Sequence, residues 1–230
     1  MREWEPWQLP EYAESRLEMW GNPTSPPKTW FKYKYNNLKK LPEMIDGDSV
    51  LDVGCGCGHT YAILKGHVKE YLGVDSAKAM IDICHRFFPE RLFKVGDVYD
   101  LSPFKAYDTV ISTQVLIHIP DLEEPLKQLW RHANKTLIFT LRPPKNTSHL
   151  RKWRPDPLEP ESDYYLIGHN YKSETVIDAI NNLEHKESVK AYTVEGAKNV
   201  MYIKIVRSKN KYNKNYTTSI FNKVSRWNRR

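Results

Sequence analysis

The chain alternates between short apolar runs and longer stretches whose apolar residues recur at helical spacing. The apolar runs, rich in β-branched and aromatic residues, predict strands at 49–53, 70–74, 92–95, 107–112, 135–141, 188–193 and 199–206. The stretches between them predict helices at 59–64, 77–87, 122–133 and 173–183, the last with Ser173 as its N-cap. Strands that alternate with helices are typical of α/β proteins with a mostly parallel sheet. The last two strands follow each other directly, which predicts a C-terminal antiparallel hairpin.

Three regions lie outside this alternation. Residues 1–46 combine two helical stretches, at about 10–20 and 29–45, with a turn rich in glycine and proline. The stretch after the fifth strand contains prolines, aromatic residues and charges without a clear period, which is typical of an insertion or lid. We therefore expect an N-terminal helical cap or substrate region at 1–46, a ligand-binding domain at 47–207 with an insertion at about 142–170, and a basic C-terminal tail at 208–230.

The positive charge is concentrated at the C-terminus. The chain of 230 residues has a net charge of +7, and residues 207–230 alone contain eight lysines or arginines and no acid. The body of the protein is therefore close to neutral, and the tail is the part that would contact an anionic partner such as RNA.

The remaining composition predicts a cytoplasmic protein. No apolar run approaches the ~20 residues of a membrane span, and the N-terminal sequence lacks the basic start and apolar centre of a signal peptide. The three cysteines are too few, and odd in number, for a disulfide framework.

Residues 50–59, Val-Leu-Asp-Val-Gly-Cys-Gly-Cys-Gly-His, place three glycines at alternate positions between a strand and a helix. Glycine lets the backbone approach a ligand closely, and the helix N-terminus then faces the polar end of that ligand. The spacing differs from the dinucleotide fingerprint, which needs a small residue where this chain has His59. Asp52, two residues before the first glycine, would repel a pyrophosphate but suits a cationic amino group. The motif therefore disfavours a nicotinamide-dependent dehydrogenase.

Two further carboxylates follow the next two strands. Asp75 ends the second strand, where a carboxylate can accept both hydroxyls of a ribose. Asp97 follows the third strand, where it could accept from an exocyclic amine such as that of adenine. Together with Asp52, these residues predict a ligand with an amino acid end, a ribose and an adenine. S-adenosylmethionine (SAM) fits that description.

The segments VLDVGCGCGHTYAIL, EYLGVDSAKAMI, VGDVYDL and YDTVISTQVLIHIPD resemble the successive motifs of class I SAM-dependent methyltransferases, and of the type 11 group in particular. This resemblance covers about residues 46–142. It implies a Rossmann-like, doubly wound α/β fold of three layers, with SAM as cofactor and S-adenosylhomocysteine (SAH) as product.

The resemblance also implies a set of cofactor-binding residues, grouped by the part of the cofactor that they would contact. The methionine end would be lined by Asp52, Gly54, Cys55, Gly56 and Gly58; the ribose and adenine by Asp75, Ser76, Met80, Asp97 and Val98; and the amino group and reactive methyl by Ser112, Thr113 and Gln114.

Methyl transfer depends mainly on the alignment of nucleophile, methyl and sulfur, so a base is needed only if the nucleophile must lose a proton. His118, just past the fourth strand, is the best candidate base, and a role in packing or in fixing the loop is the alternative. Candidates for an acceptor pocket, or for ordinary packing, are Trp30, Tyr33, Tyr35, Trp153, Tyr164, Tyr165 and His169.

Three functions remain open at this point. The near-neutral body favours a methyltransferase for a small molecule with an oxygen or nitrogen nucleophile. The second is an RNA or tRNA methyltransferase whose tail binds phosphates. The third is an inactive SAM-binding protein, because class I enzymes lack a universal catalytic residue.

A zinc site at Cys55, Cys57 and His59 is disfavoured, since structural zinc needs four ligands, and we expect no metal.

Overall fold

A seven-stranded sheet forms the centre of the computed structural model, which describes residues 5–90, 92–144, 148–153, 166–193 and 200–208. The strands are β1 (Ser49–Val53), β2 (Glu70–Asp75), β3 (Phe93–Val95), β4 (Tyr107–Ser112), β5 (Ala133–Leu141), β6 (His149–Trp153), β7 (Leu166–Asn170), β8 (Lys186–Thr193) and β9 (Met201–Arg207). The order in the sheet is β3-β2-β1-β4-β5-β9-β8. The first five strands of that order run parallel, whereas β9 is antiparallel to both β5 and β8. The predicted fold class is confirmed.

The helices are α1 (Pro10–Trp20), α2 (Lys32–Leu38), α3 (His59–Leu64), α4 (Lys78–Phe87), α5 (Glu123–Arg131) and α6 (Ser173–Asn181). Side chains of a strand point alternately to the two faces of its sheet. In β1, Leu51 and Val53 therefore pack in the core under α5 and α6, whereas Val50 packs in the core under α3 and α4. No helix among the described residues is long and apolar enough to cross a membrane.

One predicted helix and one predicted N-cap differ from the structure. The helix expected at 29–45 is only α2, flanked by short 3₁₀ turns at Pro27–Thr29 and Leu41–Glu43. Pro42 explains the early end, because proline cannot donate the helical hydrogen bond and disfavours helical backbone at the residue before it. Ser173 is the first residue of α6, and Lys172 occupies the N-cap position without a side-chain cap.

The insertion contains a small sheet that the sequence did not reveal. β6 and β7 pair antiparallel across the segment 154–165, which lies outside the described residues. Next to β7, the Tyr171 hydroxyl lies 2.9 Å from the carbonyl oxygen of Leu116 and 2.5 Å from that of Ile119. The insertion is thereby tied to the 3₁₀ turn at Leu116–His118. The tail predicted at 208–230 lies outside the described residues, apart from Ser208.

Candidate functional site

A cavity of about 220 Å³ lies beside the carboxyl ends of β1, β2 and β4. The loops that follow these strands and β3 form its floor, as expected for ligand sites in open α/β sheets. Of the residues predicted to bind a cofactor, those that line it are Gly54, Gly56, Asp75, Ser76, Met80, Asp97, Val98, Thr113 and Gln114. His118 lines it as well.

The loop after β1 needs glycine for steric reasons. Gly54 and Gly58 have φ angles of +80° and +83°, in the left-handed region that favours glycine. A Cβ atom on Gly54 would collide with the Val115 side chain, and one on Gly58 would lie 2.7 Å from the Phe88 ring. Gly54 therefore allows the backbone to form the cavity floor, whereas Gly58 allows α3 to pack.

Asp75 holds this loop in place from the end of β2. One of its carboxylate oxygens accepts the Gly56 amide at 2.9 Å, and the other accepts the Ala77 amide at 2.9 Å. Burial raises the pKa of Asp75, and these two backbone hydrogen bonds act against the shift. Each oxygen keeps a lone pair, so the carboxylate can still accept hydroxyl groups of a ligand in the cavity.

Four of the predicted cofactor residues do not line the cavity: Asp52, Cys55, Gly58 and Ser112. Asp52 is fully buried on the α3 side of the sheet, because it alternates with Leu51 and Val53 along β1. Its carboxylate accepts the Tyr71 hydroxyl at 2.7 Å, and burial raises the pKa of Asp52 to about 6. Asp52 thus lies outside the cavity lining, and the contact of these four residues with a cofactor stays a prediction.

The N-terminal region closes the cavity on the opposite side. We call residues 5–43 the cap; its contribution to the lining consists of Trp7, Trp20, Tyr33, Lys34 and Asn37. The Tyr202 hydroxyl of β9 donates to the carbonyl oxygen of Asn37 and thereby attaches α2 to the sheet. Only Tyr33 among these lining residues was a candidate from the sequence. The available signal was the run of aromatic residues and lysines without an acid at 28–40.

The other aromatic candidates have different positions. Trp30 is buried, and its indole N–H donates to the Asn22 carbonyl at 2.9 Å. Tyr35 lines a separate surface groove, and His169 packs beside Tyr171 with ring centroids 5.8 Å apart. The side chain of Trp153 and the whole of Tyr164 and Tyr165 lie outside the described residues.

His59 attaches the cap to the glycine loop. Its Nε2 lies 2.8 Å from the Gly21 carbonyl oxygen, and the rings of Trp30 and Trp20 approach its ring edge-on at 4.7 and 6.1 Å. Since a carbonyl only accepts, Nε2 carries the proton and Nδ1 is the unprotonated nitrogen. Burial, assisted by the charge of Lys34, lowers the pKa of His59 to about 3, so the ring is neutral near pH 7.

His118 is held in the tautomer that a general base requires. Its Nδ1 lies 2.8 Å from the Ile167 carbonyl oxygen of β7, so Nδ1 carries the proton and Nε2 does not. Burial lowers the pKa of His118 to about 4, which keeps the ring neutral near pH 7. The Trp7 ring contacts it from the cap, with centroids 5.0 Å apart.

Gln114 joins the cap to the end of β4. Its φ angle is +61°, which is uncommon for a residue with a side chain. Thr140 accepts its amide N–H at 2.7 Å, and the Tyr33 hydroxyl donates to its side-chain oxygen at 3.2 Å. A residue keeps such an uncommon backbone conformation where its neighbours hold it in place. Here the contacts with Thr140 and Tyr33 hold Gln114 at the wall of the cavity.

Comparison with known proteins identifies the domain around this cavity. Residues 51–138 match the family model described as a methyltransferase domain. The match covers less than half of the chain, and it includes the glycine loop, Asp75, Asp97 and His118.

Individual relatives cover different shares of the chain. The magnesium-protoporphyrin O-methyltransferase of Rhodobacter capsulatus is 30% identical over 133 residues, which are 55% of this chain and 58% of the relative. A tRNA U34 carboxymethyltransferase of a Shewanella species is 31% identical over 94 residues, which are 37% of this chain and 28% of the relative. The chain thus spans about half or less of the length of these curated relatives.

A solved structure shares the fold over most of its length. The magnesium protoporphyrin IX methyltransferase of Synechocystis PCC 6803, crystallised with bound SAH, superposes with a TM-score of 0.61. The alignment covers 89% of this chain and 97% of that one, at 18% sequence identity. At this identity the similarity shows a shared fold.

Proposed function

We propose that this protein is a SAM-dependent methyltransferase that acts on an oxygen or nitrogen nucleophile of a small molecule. The observation that carries the proposal is the cavity of the methyltransferase domain, where a glycine-lined turn meets the carboxylates of Asp75 and Asp97. A turn of this kind accommodates a ligand backbone, and the carboxylates accept hydrogen bonds from hydroxyl and amino groups.

The polar groups of the cavity fit SAM. Asp75 would hold the ribose hydroxyls, and Asp97, with Val98 and Met80, would surround the adenine. Asn37 also lines the cavity, and its buried side-chain oxygen has no hydrogen-bond partner among the described residues. A buried acceptor without a partner is costly, so a ligand donor such as an amino group would stabilise it.

Bound SAM supplies a methyl group made electrophilic by the sulfonium to which it is attached. The residues of this chain contribute alignment, because the cap and the loops after β1 and β4 fix ligand positions from opposite sides. Trp7 and Tyr33 would cover part of the bound cofactor from the cap. The unprotonated Nε2 of His118 would accept the proton of an acceptor that must lose one.

The size of the cavity favours a small acceptor. Its volume of about 220 Å³ is below the ~300 Å³ at which typical ligand pockets begin, so a bound cofactor would fill most of it. The name of the Rhodobacter relative also indicates a small-molecule acceptor for that protein.

An RNA acceptor is the second candidate, since one relative is named for tRNA and the tail is basic. An inactive SAM-binding protein would share every feature of the cofactor site.

Calorimetric titration with SAM and SAH tests the cofactor assignment. We expect Asp75→Ala to weaken both affinities by about 100-fold, because the carboxylate would contact the ribose and holds the Gly56 amide. The matched control is Asp82→Ala, which removes an acid paired with Lys78 on the exposed side of α4 and should leave binding unchanged. Absence of binding by the wild-type protein, or an unchanged affinity in the Asp75 variant, would contradict the assignment.

Methyl transfer is tested with SAM labelled in its methyl group and a cell extract divided into small-molecule and RNA fractions. The proposal expects label in the small-molecule fraction. Label only in RNA would support the second candidate, and no label in either fraction would support the inactive protein.

A further inference from the structure

Lys34 brings a positive charge into the cavity from the cap. It lies in α2, lines the cavity, and places its ammonium 4.2 Å from the ring centroid of Trp20. A cation above the face of an indole is held by the negative face of the ring. Trp20 itself packs against His59 and ends α1, so the position of the ammonium is determined by the cap and the glycine loop together.

The hydrogen bonds of this ammonium are not satisfied within the described part of the protein. An ammonium has three donors, yet neither a salt bridge nor a hydrogen bond joins Lys34 to another described residue. The nearby carboxylates are already engaged, Asp75 by two backbone amides and Asp52 by the Tyr71 hydroxyl. Burial lowers the pKa of Lys34, while the charges around it, those of Asp52 and Asp75 among them, act against that shift. The donors of Lys34 are thus left for a ligand.

The chemistry of the cofactor determines which of its groups can meet this ammonium. The amino group and sulfonium of SAM are cations that Lys34 would repel, and the adenine and ribose are neutral. The carboxylate is the one anionic group of the molecule. The loops that carry Asp75 and Asp97 would hold the ribose and the adenine, so the amino acid end would extend toward the cap.

We propose that the Lys34 ammonium, held on the face of Trp20, binds the carboxylate of the methionine moiety and makes the site selective for nucleosides that carry it. This inference rests on the proposed function, because it assigns one contact within the same cofactor site. An ion pair that is partly shielded from water and hydrogen-bonded is worth more than one on the surface. The selectivity of the site for ligands with a carboxylate would therefore come from Lys34 in the cap.

The test compares two ligands that differ only in the carboxylate, SAM and decarboxylated SAM. We expect the wild-type protein to bind SAM about 10- to 100-fold more tightly. In Lys34→Met, which keeps an apolar chain on Trp20 but removes the charge, this ratio should fall to about one through loss of SAM affinity. Lys34→Arg should retain much of the ratio. Lys32→Met, at an exposed position of the same helix, is the matched control and should keep the wild-type ratio.

The outcomes separate this inference from the proposed function. If the wild-type protein binds neither ligand, the cofactor assignment itself fails. If it binds SAM, and Lys34→Met weakens both ligands equally or neither, the site exists but Lys34 does not recognise the carboxylate. Thermal unfolding of each variant establishes that it is folded before the ratio is taken.

Discussion

At the scale of single residues, the chemistry that the cavity can perform depends on which ring nitrogen of His118 carries the proton. The Nδ1–H of His118 donates to the Ile167 carbonyl, which fixes the tautomer with an unprotonated Nε2. The turn that carries His118 is itself held by the Tyr171 hydroxyl, which contacts the carbonyls of Leu116 and Ile119. The Nδ1 side of this candidate base is therefore positioned by a backbone contact with β7.

His118→Asn tests whether this nitrogen acts in catalysis. The asparagine amide can still donate to the Ile167 carbonyl, but it offers no basic nitrogen. With the acceptor identified from the labelled extract, we expect kcat to fall by about 100-fold or more, and the Kd of SAH to change by less than about twofold. An unchanged kcat would show that His118 only supports the loop. Equal losses in kcat and SAH affinity would indicate that the substitution disturbs the cavity as a whole.

At the scale of elements, one neutral histidine contributes to the contact between the cap and α3. His59, the first residue of α3, is fully buried and meets the Gly21 carbonyl at the end of α1. Its Nδ1 has no hydrogen-bond partner among the described residues, so protonation would bury an unsatisfied donor near the charge of Lys34. The cap is accordingly expected to loosen in acid.

The pH dependence of stability follows from the sign of this shift. The pKa of His59 is about 3 when folded and about 6.5 when unfolded, so the unfolded state binds more protons between these values. Stability is thus fully present above about pH 6.5 and declines as the pH falls below it. Asp52, with a folded pKa raised to about 6, acts in the opposite direction over part of this range.

His59→Gln isolates the contribution of this histidine. Glutamine can donate to the Gly21 carbonyl but does not titrate. Between about pH 7.5 and about pH 5.5, the free energy of unfolding should fall by about 1 kcal/mol less in the variant than in the wild type. Urea unfolding at both pH values measures this difference. His67→Gln, at an exposed histidine, is the matched control and should keep the wild-type slope; an identical slope in His59→Gln would refute the explanation.

At the scale of the whole molecule, the sheet and the floor of the cavity could be predicted because their signals are local. Each strand is a short apolar run, and Gly54, Asp75 and Asp97 follow strands directly, so the parallel topology brings them to one edge. Asp52 does not line the cavity, and the sequence motif did not show this, because a position next to the glycines does not tell which face of β1 a residue occupies. The alternation of β1 would have given that face.

The part of the cavity lining that comes from the cap could not be predicted from the sequence. Trp7, Trp20 and Lys34 reach it from the cap through contacts between segments far apart in the chain, which no short motif records. The small sheet of the insertion was missed for a similar reason, since the segments of β6 and β7, His-Leu-Arg-Lys-Trp and Leu-Ile-Gly-His-Asn, lack clear alternation. Local patterns thus predict the elements that form the floor of the cavity, whereas the position of the cap over it depends on tertiary contacts.

The basic tail distinguishes a small-molecule enzyme from an RNA enzyme, and its charge makes a quantitative prediction. The seven cations of the tail, without an acid, are expected to bind RNA electrostatically, and such binding should weaken steeply between about 50 and about 200 mM salt whatever the function. A protein shortened after Ser208, whose amide pairs with the His185 carbonyl, keeps the sheet intact and should lose this binding. If the acceptor is a small molecule, the shortened protein should methylate it at an unchanged kcat/KM and neither form should label RNA. Label in RNA that disappears with the tail would instead identify RNA as the acceptor and the tail as its phosphate contact.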